Sequence, residues 1–123
     1  MKMKLTCMPI SAFAKALVYI AFLAPLHVMA GDSSGKITTI YSHTKIVNGE
    51  NIGVIMFNVE NHTGQPDCSG REWAFNANDG NGKAMLSLLL SAASQNKSIT
   101  VKGANNCADW HDREKPYWIR VLY

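Results

Sequence analysis

One stretch of this chain carries helical periodicity, and segments that read as strands flank it on both sides. Across residues 83–95, Met85, Leu88, Leu89 and Ala92 recur at i, i+3, i+4 and i+7, the spacing of one buried helical face. Leu86, Leu90 and Ala93 widen that stripe, so a helix packed deeply against a sheet is expected. Asn96 follows, a residue able to take the left-handed conformation that ends helices. Before the helix, residues 36–46, 52–59 and 71–76 are rich in β-branched and aromatic types. The apolar run of the second of these implies burial on both faces for part of its length. Asn48-Gly49 between the first two supplies the positive φ of a tight hairpin, and residues 61–70 read as a loop. After the helix, residues 98–103 and 117–123 read as strands four and five, separated by a polar loop.

The resulting order is β-β-β-α-β-β. A helix between strands three and four matches the OB-fold, a mainly β, five-stranded and partly open barrel. An α+β sandwich with the helix on one sheet face shares the same order.

The first thirty residues belong to a different kind of segment. Met1-Lys2-Met3-Lys4 is basic, and the apolar run over residues 16–26 is shorter than the roughly 20 residues a bilayer span needs. Val28-Met29-Ala30 then places small residues at −3 and −1 before Gly31. This is the pattern of a secretory signal peptide, residues 1–30, cleaved after Ala30, with an uncleaved anchor as the competing reading. It predicts a secreted or periplasmic product without a membrane span, formed by a single domain over residues 31–123. Cys7 leaves with the leader.

Cleavage also changes the charge. The full chain has 12 Lys+Arg against 9 Asp+Glu, but Lys2, Lys4 and Lys15 leave and the mature domain is neutral. A neutral domain has no net field to attract polyphosphate, which argues against nucleic acid as a partner. Two cysteines remain, Cys68 and Cys107, in an oxidising compartment. An intramolecular disulfide is the simplest arrangement; free thiols or a bond to another subunit are the alternatives.

Chemistry-bearing motifs are few. Gly80-Asn81-Gly82-Lys83 has a phosphate-loop look, but Ala84 offers no hydroxyl and Ala77 stands where the motif needs glycine. It reads as a turn that starts the helix. No Gly-x-Ser-x-Gly elbow is present, and a triad built on His43, His62 or His111 has no fixed spacing to support it. Asp109, His111, Asp112 and Glu114 crowd one loop, where a solvated charged segment is a simpler reading than a metal site or a glycosidase pair. No catalytic residue, metal or cofactor is expected. Trp110 stands out, because an indole in a polar loop is hard to assign to a core. Beside Asp109 and His111 it suits stacking on a sugar ring, with loop packing or a subunit contact as the alternatives.

The segments "SGKITTIY" and "GKAMLSLLLSAASQNKSITVKG", a cysteine four residues further on, and a final strand of alternating apolar residues resemble a group of small exported bacterial proteins. These are similar to the subtilase cytotoxin B subunit and, more loosely, to pertussis-type toxin B subunits. The resemblance implies an OB-fold, a homopentameric ring, a catalytic A subunit as partner, and a shallow pocket on the barrel side for sialylated glycans. It transfers one residue, Ser34, ahead of the first strand, as a contact to the sugar. This chain is shorter than those subunits, and its Cys68–Cys107 spacing departs from theirs. The expected function is thus a secreted, non-enzymatic binding module, a glycan-binding ring subunit. The alternatives are a small periplasmic structural or inhibitor-type protein and, last, a small hydrolase using His111.

Overall fold

The computed structural model describes residues 29–123, so the expected signal peptide, apart from Met29 and Ala30, lies outside the described residues. Five strands and one helix follow in the expected order: β1 (Met29–Val47), β2 (Glu50–Gln65), β3 (Trp73–Asn76), α1 (Gly80–Ser94), β4 (Ile99–Gly103) and β5 (Pro116–Val121). They form one antiparallel sheet in the order β3-β2-β1-β4-β5. A parallel bridge between Trp73 and Glu114, with Ala74 N–H donating to the Glu114 carbonyl at 3.1 Å, brings β3 against the approach to β5. That contact curls the sheet back on itself and gives the mainly β, OB-like arrangement with one packed helix. Among the described residues, no helix is long and apolar enough to cross a membrane.

The hairpin forms where its turn chemistry puts it, with Asn48 at φ 50° and Gly49 at φ 82°. Both of its strands outrun the sequence reading. β1 begins at Met29, and β2 runs on through Gln65, so residues 61–65, expected in a loop, are strand. The extensions support each other, since Ser33 pairs with His62 and Met29 with Gln65. Register irregularities between Ser34 and Thr39, with Gly35 at φ 116°, bend β1. It thereby pairs with β2 along its length and with β4 over Asp32 to Gly35.

Val54, Ile55, Met56 and Phe57 are all buried, as the continuous apolar run implies. Ile55 and Phe57 join Trp73, Phe75, Met85 and Leu89 in the main core inside the barrel. Val54 and Met56 point the other way, with Ala74, into a second and smaller core on the outer face. What covers that outer core is the loop holding Cys107.

The helix corrects the sequence reading in one respect. Met85, Leu89 and Ala92 are buried, but Leu88 and Leu90 are 37% and 53% exposed and Ala93 faces solvent. The buried stripe is therefore narrow, because α1 packs against β5 and β1 along one face. Asp79 caps its first turn, accepting from Gly82 N–H at 2.6 Å, and Asn96 ends it at φ 52°. Gly82 is the close-approach point: a Cβ there would overlap the Asn76 carbonyl at the end of β3. Backbone cannot yield as a side chain can. Gly82→Ala is expected to cost about 2–3 kcal/mol, read as a lower urea midpoint at unchanged slope.

Cys68 and Cys107 are bonded, with Cα atoms 6.2 Å apart. A second tie sits deeper. Trp73 Nε1–H donates to Ser33 Oγ at 3.0 Å, and Ser33 Oγ–H is 2.9 Å from His62 Nδ1. His62 Nε2 lies 2.9 Å from the Gly64 carbonyl, which only a ring N–H can satisfy. The proton is thus on Nε2, leaving Nδ1 free to accept. Burial lowers the His62 pKa, outweighing the opposing bond to Gly64 and the nearby Glu114 charge. The neutral ring is therefore the folded form. Unfolded His62 takes up a proton below about pH 6.5 before the folded protein does, so its contribution is complete above that pH and declines below it. A Tm that falls between pH 6.5 and 5.5, with a shallower fall in His62→Gln, is the expected outcome.

Candidate functional site

On β1, Tyr41 and His43 are two residues apart and so share a face, the outer one. Their partners across the ladder are Met56 and Val54, and Ala74 lies beyond Met56 on β3. Trp110 lies over this patch, packed with Tyr41 against Val54, Met56 and Ala74. Its indole is half-buried. Four rings then run together: Tyr41 and His43 with centroids 5.6 Å apart, His43 and Trp110 at 5.3 Å, and Trp110 and His111 at 5.8 Å. His43 and His111 are exposed, so the ledge has a wet, hydrogen-bonding rim.

A charged network fixes the ledge from one side. Arg113 Nε donates to Glu72 Oε2 at 2.6 Å, Tyr41 Oη–H donates to the same oxygen at 2.7 Å, and Asn58 Nδ2 reaches Oε1 at 3.1 Å. Arg113 also lies 2.8 Å from Asp112. Burial works against the Glu72 charge, but the bonds from Tyr41 and Arg113 outweigh it and hold the carboxylate below its usual range. The Glu72 hydrogen bond, with some burial, raises the Tyr41 phenol. Burial disfavours the Arg113 charge too, yet the bond to Glu72 leaves its pKa raised.

A shallow cleft of about 230 Å³ adjoins the patch at Val54, with Lys45, Asn76 and Asp109 among its polar lining. Lys45 Nζ donates to the Asp109 carbonyl at 3.1 Å. A second cleft of equal size, lined by Thr38, Asn58, Glu60, His62 and Arg71, shares Asn58 with the Glu72 network and has the His62 ring alone in its wall.

The residues singled out from sequence fall in two places. Trp110 and His111 belong to the ledge. Asp109 lies beside it but is engaged: its carboxylate accepts from Asn76 N–H at 2.9 Å and pairs with Lys115 at 3.2 Å. It anchors the loop to the end of β3. Ser34 is elsewhere, exposed on β1 between Asn61 and Thr100, with its carbonyl accepting from Asn61 Nδ2 at 3.1 Å. It pairs with β4 at the bend of β1, nine residues before His43 on the same strand. His111 is 83% exposed and has Asp112 at 3.9 Å. Sequence reasoning missed His43, Tyr41 and Lys45 as neighbours of Trp110. The two-residue spacing of Tyr41 and His43 was the available signal; the loop that folds over them left none.

Comparison with family models, with curated proteins and with solved structures found no match to this chain.

Proposed function

We propose that the protein is a secreted binding module that holds a glycan on the Tyr41–His43–Trp110–His111 ledge. The observation that carries this reading is the run of four rings on an outer face, with exposed imidazoles at its rim and a charged network behind it. A sugar ring offers an apolar C–H face for the indole and equatorial hydroxyls for His43 and His111. Lys45 in the adjoining cleft supplies a cation for the carboxylate of a sialic acid. No catalytic role is assigned to the ledge.

The leader over residues 1–30, export, and a ring of five subunits serving an A subunit belong to the same proposal. The ring has one supporting feature: β5 ends the sheet, and Tyr117, Trp118, Leu122 and Tyr123 on and just after it are large apolar side chains 39–82% exposed. Light scattering at about five times the mature mass supports the ring; a monomer removes it and leaves the sugar site standing.

The site itself is tested by affinity. Trp110→Ala is expected to weaken binding of a sialylated oligosaccharide at least tenfold, and His43→Ala roughly threefold. His43 packs less than Trp110, so its variant separates recognition from stability. Equal affinity in wild type and both variants rules out the ledge.

A further inference from the structure

Glu114 is fully buried, 0% exposed, on the approach to β5. Its carboxylate accepts backbone N–H groups alone: Gly31 N at 2.9 Å from Oε2 and 3.2 Å from Oε1, and Asn105 N at 2.9 Å from Oε1. Among the described residues, no Lys or Arg forms an ion pair with it, and Arg113 is engaged by Glu72 and Asp112. A carboxylate taken out of water without a cation is costly. The chain nevertheless makes room for this one. A Cβ on Gly31 or on Gly103 would overlap its oxygens, so both glycines serve to seat it. The Gly31 amide has a single hydrogen to share between two oxygens.

Gly31 is also the residue that follows the expected scission. We propose that Glu114 is the receptor for the new N-terminus: once the leader is removed, the Gly31 α-ammonium pairs with the buried carboxylate. The proposal rests on the signal-peptide reading. Hydrolysis of the Ala30–Gly31 amide by a leader peptidase consumes one water. Ala30 departs as a carboxylate on the leader, and the Gly31 amine takes up a proton to become an ammonium. That group offers each Glu114 oxygen its own N–H and supplies the missing positive charge at the same place.

The consequence reaches the barrel. Glu114 N–H donates to Ser69 Oγ at 2.8 Å and its carbonyl accepts from Ala74 N–H, so Glu114 forms the seam between β3 and the approach to β5. Processing therefore completes that seam, and the exported form is the more tightly closed one.

Intact mass of the exported protein is expected to start at Gly31. A chain begun at Met29 keeps every strand pair and the disulfide, yet is expected to melt roughly 10 °C below one begun at Gly31. Loss of ordered strand alone would order them the other way. In Glu114→Gln the two lengths should melt together. In the native wild-type protein, acylation of the α-amine should be at least tenfold slower than in the unfolded chain. For a protein that does start at Gly31, an equal or reversed melting order, or acylation at the unfolded rate, overturns the pairing and leaves the leader reading intact. A mature protein that starts elsewhere overturns both.

Discussion

Replacing Cys68 and Cys107 together with alanine is expected to lower the thermal midpoint by roughly 15–30 °C. The bond closes a segment with a sequence separation of 39, for which the chain-entropy account gives about 4 kcal/mol. At about 4–8 °C per kcal/mol for a domain of this size, the shift follows. Set against a total stability of about 5–15 kcal/mol, the loss is severe. It also has a local part. The bond ties the Cys107 loop to the segment before β3, and that loop carries Trp110 over Val54, Met56 and Ala74. Released, it exposes the outer core while the inner one persists, so tryptophan emission should shift to the red before circular dichroism changes. A midpoint within a few degrees of wild type would mean the backbone ties, such as Gly70 N–H to the Asp112 carbonyl at 3.2 Å and Ala104 N–H to the Lys115 carbonyl at 2.8 Å, suffice without the sulfurs.

Trp73→Ala is the second large effect, about 3–5 kcal/mol in denaturant unfolding. The side chain is completely buried, stacks on Phe57 at a centroid distance of 6.4 Å, and lies 5.1 Å from the His62 ring. Its removal leaves a cavity where β3 meets the closing seam, and strands Ser33 Oγ without its donor. Trp73→Phe separates the two causes. It keeps most of the packing and loses the indole N–H, so about 1 kcal/mol is expected. If Phe cost as much as Ala, the hydrogen bond rather than the volume would dominate.

Much of the fold was legible because its signals are local. Asn48-Gly49 dictates a hairpin, Asp79 with Gly82 starts a helix, and Asn96 ends one. Pairing Cys68 with Cys107 is the simplest reading of the cysteines, and the two are bonded. Long-range pairing was less legible. Residues 61–65 look like a loop, holding Asn61, Thr63 and Gly64, and become strand because β1 extends back to Met29 and pairs with them. Leu88 and Leu90 look buried by helical spacing, yet α1 meets the barrel along one narrow face. Glu114 sits in a run of charges that reads as solvated, and it is buried since Gly31 and Gly103, distant in sequence, make space for it. The candidate site divides the same way. Trp110 was conspicuous as an indole in a polar loop. Its partners on β1 were not, as they depend on how that loop folds over the sheet.

On the proposed reading, sugar recognition belongs to the ledge around Trp110. The chain has three tryptophans, each with one indole N–H, in three settings: Trp73 in the inner core, Trp118 on the β5 edge and Trp110 on the ledge. A nitrogen–proton NMR titration with a sialylated oligosaccharide observes all three at once. A saturable shift of the Trp110 indole is expected, with Trp73 and Trp118 unmoved and a weaker response to the neutral sugar lacking the carboxylate. A Trp110 signal that stays fixed at saturating sugar, or a shift confined to Trp118, would contradict it.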